Sequence, residues 1–161
     1  MKKFLFVSPT GTLDNGAEIS IFYLMMMLVQ RGNTVINVVP DYPGVDKTAY
    51  KHKFDSSGIE TYFLPAGKWW WEDAPGGLPE DEKVRAFYYR ENIAQIRKLI
   101  QENNIDLVVT NTVNMFQGAV AAACESIPHF WLIHEFPENE FAYYRDNIDY
   151  IEEYSEEIYS V

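Results

Sequence analysis

Three segments within the first 40 residues leave few folds open. Lys3 to Ser8 is a short run, apolar from Phe4 to Val7, that stops at Pro9 and Gly11, which is how a strand buried on both faces reads. Ala17 to Gln30 is apolar over a helical length, carries Arg31 in its last turn and ends at Gly32. Thr34 to Val39 is β-branched and apolar and is closed by Pro40 and Pro43. Strand, helix and strand in so short a space make a βαβ unit, because two parallel strands need a crossover and a helix is the connection the spacing allows. Its hand is right-handed.

The alternation continues. Ile59 to Leu64 reads as a third strand before Pro65. Between Glu82 and Asn103 the residues Val84, Phe87, Tyr88, Ile93, Ile96, Leu99 and Ile100 recur at helical spacing among charges, which predicts one long amphipathic helix. Asp106 to Thr110 is a buried strand, Met115 to Ser126 a small-residue helix, and Phe130 to Ile133 a strand that ends at His134. The pattern predicts an α/β, Rossmann-like open parallel sheet with helices on both faces and strand order 3-2-1-4-5. Glu135 to Glu157 is strongly acidic with aromatic residues interspersed, and reads as an amphipathic helix with a solvated face rather than a metal site. Ile158 to Val161 begins a further strand, so residues 1–161 read as a single Rossmann-like domain excised from a longer protein.

Composition removes several function classes. Twenty-four acidic residues against 13 basic ones give a formal net charge of −11, which disfavours nucleic-acid binding, where a basic face must neutralise phosphates. A lone cysteine, Cys124, builds neither an internal disulfide nor a cysteine-rich zinc site, and a reduced, cytoplasmic setting is expected. The amino-terminal apolar run is too short for a signal peptide, and Ile19 to Val29 is too short to cross a bilayer. Contact with the inner face of the membrane is the most that is expected of it. Scattered His52, His129 and His134 offer no metal-ligand spacing.

In an open parallel sheet, ligands sit beyond the carboxyl ends of the strands, where the strand order reverses. Three segments are expected there: the Ser8 to Gly16 loop, Asn111 with Thr112, and His134 with Glu135. The first leads into a helix amino terminus, whose free amides and positive dipole end attract phosphate. Gly11 and Gly16 have the glycine spacing of a P-loop, but Ala17 and Glu18 replace its Lys-Ser/Thr pair, and a nucleotide triphosphatase is disfavoured. The G-x-G-x-x-G fingerprint is absent, although Asp41 stands where a ribose-binding acid would follow the second strand. The two glycines read equally well as a turn needing positive φ.

Asn15-Gly16-Ala17-Glu18, an apolar helix, and then Gln30-Arg31-Gly32-Asn33-Thr34-Val35 resemble the "Gly-Gly-Ala-Glu … Arg-Gly-His-x-Val" opening of family 4 retaining glycosyltransferases. Ile105 to Asn111, Ile127-Pro128 and Trp131 to Glu135 are similar to that family's "Pro-Asp-Ile-Val … Ile-Pro … His-Asp/Glu" segments. The resemblance spans the whole chain and implies the acceptor-side half of a GT-B enzyme, in which two Rossmann-like domains face each other across a cleft. It implies transfer of a sugar from a nucleotide diphosphate sugar to a glycan, lipid or protein acceptor, without a metal or other cofactor. The donor-binding half, with its Glu-x7-Glu pair, is absent from the chain; Glu72 and Glu80 share that spacing by coincidence, since they flank Pro75-Gly76-Gly77.

Residue by residue, the resemblance places Gly16, with Gly11, Asn15 and Ala17, at the donor diphosphate and His134 against the donor sugar and reacting centre. Asn15 departs from the family, standing where the first glycine usually is, and Asn33 replaces a histidine at a helix end. Asn111, Thr112 and Glu135 are expected in the cleft. Trp69, Trp70 and Trp71 lie in a Pro/Gly loop where acceptor selectivity is expected, although packing against this domain or its missing partner is the preferred reading of three aromatics. Lys47, Lys51, Lys53 and Lys68 nearby are almost balanced by Asp46, Asp55 and Glu60, thin support for anionic lipid. The helix from Ala17 carries Met25, Met26 and Met27 and is apolar nearly all round, which leaves homodimerisation open. The competing class is a non-catalytic Rossmann-like nucleotide- or ligand-binding module.

Overall fold

The computed structural model describes residues 1–41, 46–65, 81–135 and 148–160. In chain order the elements are β1 (Lys3–Val7), α1 (Gly16–Gln30), β2 (Thr34–Pro40), α2 (Lys47–Ser56), β3 (Ile59–Leu64), α3 (Glu82–Asn103), β4 (Leu107–Asn111), α4 (Gln117–Cys124), β5 (His129–Ile133), α5 (Ile148–Glu153) and β6 (Glu157–Ser160). They form one six-stranded sheet in the order β3-β2-β1-β4-β5-β6, with all neighbours parallel. The expected Rossmann-like order holds, and the further strand at the carboxyl end takes its place beside β5.

Successive side chains of the central strands face opposite layers. Leu5, Val7, Ile36, Val38 and Val108 pack with Ile96, Leu99 and Ile100 of α3 and with Ala121 and Ala122 of α4. Phe6, Val35, Val39 and Val109 pack with Ile21, Phe22 and Met25 of α1 and with Tyr50 and Phe54 of α2. Apolar residues are therefore needed at consecutive strand positions, which explains the unbroken apolar runs. Close approach on the first face depends on Gly118. A Cβ there would lie 2.6 Å from Thr110 Oγ1 and 2.9 Å from Val7 Cγ2.

Helix boundaries follow from capping. Asp81 accepts from Val84 N to start α3, and Asn104, at φ 54°, ends it in the left-handed conformation. α1 begins at Gly16, one residue before the predicted start, because the Asn15 side chain accepts from Glu18 N. Its buried stripe is Glu18, Ile21, Phe22 and Met25, while Ile19, Tyr23 and Met27 on the opposite side are exposed. Burial all round, as the composition of this helix invites, is not what this domain provides.

The sequence reading left the connection between β2 and β3 without a helix, whereas α2 fills it, anchored by Tyr50 and Phe54. Trp69, Trp70, Trp71, Glu72 and Glu80 lie outside the described residues, as does most of the acidic segment after Glu135. Among the described residues no helix is long and apolar enough to cross a membrane.

Candidate functional site

Because every strand runs the same way, β1, β4 and β5 end on one edge of the sheet, and β1 and β4 are neighbours where the order reverses. The loops that follow these strands therefore meet beyond that edge. Asn111, fully buried as the last residue of β4, makes the junction. Its Oδ1 lies 2.8 Å from His134 Nε2 and its Nδ2 donates to Ala17 O at 3.4 Å. One amide thus connects the residue after β5 to the first turn of α1. With Nδ2 turned to the Ala17 carbonyl, Oδ1 accepts the Nε2 proton of His134, which leaves Nδ1 of the half-buried imidazole as its free acceptor among the described residues.

Glu135 is engaged with the backbone. Its Oε2 accepts from His134 N at 3.2 Å and from Val113 N at 3.3 Å, tying the turn after β4 to the end of β5. Thr112 is buried at φ 74°, a conformation that a β-branched residue rarely adopts. Its amide donates to Leu132 O at 2.8 Å, its carbonyl accepts from Trp131 Nε1 at 2.7 Å, and its hydroxyl donates to Asn114 Oδ1 at 2.6 Å. The strained turn is held from three sides and fixes where Asn111 points.

In the β1–α1 loop the predicted residues divide. Asn15 caps α1 through its side chain, which gives a physical reason for an asparagine there. Glu18 N is taken by that cap and Ile19 N by Asn15 O, so the amides of Gly16 and Ala17 remain without partners among the described residues. A Cβ on Gly16 would have none of the described residues within 4 Å. The described residues therefore place no steric demand on this glycine. Gly11 belongs elsewhere: at φ +71° it faces Val39 and Phe63, on the β2–β3 side. There the turn reading of this glycine is sufficient.

No basic side chain lies between Ser8 and Glu18, so any anion at this helix end would rest on main-chain amides. Two acids share the loop. Asp14 is exposed, and hydrogen bonds from the Thr12 hydroxyl and the Asn15 amide hold its carboxyl below the usual range. Glu18 is fully buried, and desolvation pushes its carboxyl up to about 7 against the opposing effect of its Thr10 bonds. The sequence did contain a signal for this residue, because Glu18 occupies the first position of the stripe formed with Ile21, Phe22 and Met25. Asp41 forms an ion pair with Lys47, and its amide donates to Leu64 O. Among the described residues no group of three or more His, Cys, Asp or Glu is placed to hold a metal ion.

No protein-family profile matches the chain, and no curated protein matches it in sequence. Solved structures do match in fold. Acinetobacter baumannii MurG superposes with a TM-score of 0.67 at 11% identity, covering 100% of this chain and 41% of that one. A putative UDP-N-acetylglucosamine 2-epimerase from Listeria monocytogenes gives 0.63 at 12% identity over 99% of this chain and 39% of its own. A glycosyltransferase from Rickettsia africae gives 0.58 at 17% identity, over 91% and 34%. The chain spans about two fifths or less of each. It has, distantly, the fold of one Rossmann-like half of the GT-B architecture; nothing in these matches singles out family 4.

Proposed function

We propose that the chain is the acceptor-side half of a retaining, family 4 type GT-B glycosyltransferase, moving a hexose from a nucleotide diphosphate sugar to a glycan, lipid or protein acceptor. The observation that carries this reading is the Asn111 bridge, which ties His134 to the first turn of α1. Reacting group and anion seat are held by one buried amide. The comparisons add support: one structure of this fold is named a glycosyltransferase and another is named for a nucleotide diphosphate sugar.

In this reading Gly16 and Ala17 turn free amides toward the donor diphosphate, and Asn15 sets the helix start that aims them. Gly11 shapes the far side of the loop. His134 faces the donor sugar, while Asn111, Thr112 and Glu135 form the rigid floor of the cleft. Trp69, Trp70 and Trp71 contribute to acceptor choice. The diphosphate is gripped more tightly as it leaves with growing negative charge, and the opposing half, outside this chain, supplies most of that grip.

The test is sugar transfer by the whole protein. His134→Ala is expected to lower kcat by roughly 100-fold, the scale of losing one preorganised group at the reacting centre, with folding unchanged. Transfer at the native rate would overturn the role of His134. Nucleotide sugar binding without transfer under any acceptor would favour a binding module instead.

A further inference from the structure

Among the described residues Glu18 is the only buried carboxyl, and its bonds have an unusual proton count. Oε1 lies 3.0 Å from Thr10 N and 2.7 Å from Thr10 Oγ1, while Oε2 is buried without a partner. From Thr10 a line of oxygens continues outward. Thr10 Oγ1 is 3.0 Å from Thr12 Oγ1, and Thr12 Oγ1 is 2.6 Å from Asp14 Oδ1. Thr12 N also donates to Thr10 Oγ1 at 3.3 Å.

Three oxygen-to-oxygen contacts need three protons, and two threonine hydroxyls supply only two. With both acids ionised, Thr10 gives its proton to Glu18 and Thr12 gives its proton to Asp14. The two hydroxyl oxygens then face each other with nothing between them. One added proton closes the series: the Glu18 carboxylic acid donates to Thr10, Thr10 to Thr12, and Thr12 to the Asp14 carboxylate. The Thr10 hydroxyl then donates once and accepts twice, its full capacity, and the unpartnered Oε2 becomes a neutral carbonyl oxygen. An orphaned oxygen costs less there than on an ion.

We propose that the β1–α1 loop is clamped to α1 by a single proton shared along Glu18, Thr10, Thr12 and Asp14, and that removing this proton releases residues 10–14 from the helix. Glu18 is its resting place, since Asp14 is exposed and stabilised as an ion by Thr12 and Asn15. The Thr10 hydroxyl and the Thr10 and Gly11 amides favour the ionised form, but burial, the largest effect, outweighs them and favours the protonated acid. Asp14 repels a Glu18 charge from within the loop, and the Tyr50 hydroxyl of α2 stays neutral, accepting from Asn37 Nδ2 at 3.1 Å. Across a hollow of about 360 Å³ between the loop and α2 stand Asp46 and Lys53, both exposed and opposite in charge. Ionising Glu18 removes the donor that starts the series and puts two negative charges on one short loop. The clamp requires no transferase activity.

Carbon-13 carboxyl NMR and amide exchange on the protein without ligand test it. Glu18 should titrate near neutrality, and the Asp14 carboxyl should show a second, smaller step at the same midpoint, the mark of coupled sites. Protection of the Thr10 and Thr12 amides should fall roughly tenfold or more across that step. Glu18→Gln, which donates without ionising, should keep them protected at alkaline pH. Thr12→Val, at a half-exposed position, should abolish the second step of Asp14 while leaving the high midpoint of Glu18. A Glu18 midpoint in the ordinary carboxylate range, no second step in Asp14, or unchanged protection across the Glu18 step would each overturn the clamp.

Discussion

His134 Nε2 lies 2.8 Å from Asn111 Oδ1, so the orientation of the imidazole after β5 is set by a side chain at the end of β4. Asn111 is itself fully buried, and its other amide atom is turned toward the Ala17 carbonyl. The pairing therefore selects the Nε2–H tautomer and leaves Nδ1 as the acceptor of the ring. It also makes the histidine, the strand end and the start of α1 one mechanical unit, which a lone histidine on a flexible turn would not be.

Asn111→Ala should uncouple that unit. The substitution strands the His134 Nε2 proton and opens space beside the Ala17 carbonyl, a loss of about 1–3 kcal/mol in a urea titration. Most of it should come from the histidine side, because the bond to Ala17 O is long at 3.4 Å. Nitrogen-15 spectra of His134 should then show both tautomers; a single Nε2–H form in the variant would mean that another group orients the ring.

Gly16→Ala separates fold from function. A Cβ there meets none of the described residues within 4 Å, and the residue opens a helix at ordinary φ, so stability should be unchanged or rise by up to about 1 kcal/mol. In the whole protein the same methyl should obstruct a diphosphate approaching the free amides and lower sugar transfer roughly tenfold or more. Native transfer rates by Gly16→Ala would remove the anion seat from this helix end.

Gly118→Ala should do the opposite. The added Cβ would press on Thr110 Oγ1 at 2.6 Å and Val7 Cγ2 at 2.9 Å. Both belong to central strands, and the Thr110 hydroxyl is already bonded to His129 Nε2 at 2.7 Å. Neither can withdraw freely, so α4 must lift from the sheet. Equilibrium unfolding should show about 1–3 kcal/mol of lost stability.

What could be read in the sequence tracks how strongly a period is written. α3 matches its predicted span from Glu82 to Asn103 because seven apolar residues recur at helical spacing along it and Asp81 and Asn104 close its ends, although of the seven only Ile96, Leu99 and Ile100 are buried, and Val84 and Phe87 are exposed. α2 escaped because only Tyr50 and Phe54 are buried among its ten mostly polar residues, too few to set a helical period against charge. The edge where the candidate site lies was legible from strand order alone. The work done by Asn111 and Glu135 was not, since it depends on which atoms of each side chain meet a neighbour from a distant segment. The turn reading of Gly16 does not hold, since this glycine opens α1 without a positive φ, whereas Gly11 does take one.

Stability against pH should expose two buried groups acting in opposite directions. Burial pushes His129 down to about 4, between Thr110 and Ser155, so the folded chain refuses a proton that the unfolded chain accepts near 6.5. Its contribution is complete above 6.5 and is lost as pH falls toward 4, on the order of 3 kcal/mol in all. Glu18 is raised from 4.5 to about 7, so its contribution is complete below 4.5 and is lost as pH rises through 7, by a similar amount on the order of 3 kcal/mol. Between 4.5 and 6.5 the two slopes cancel, and the native protein should show a plateau in urea unfolding free energy. Glu18→Gln should tilt that plateau upward with pH by about 1.4 kcal/mol per unit, and His129→Gln should tilt it downward equally. A plateau that stays level in either variant would show that the substituted residue titrates alike in the folded and unfolded chains.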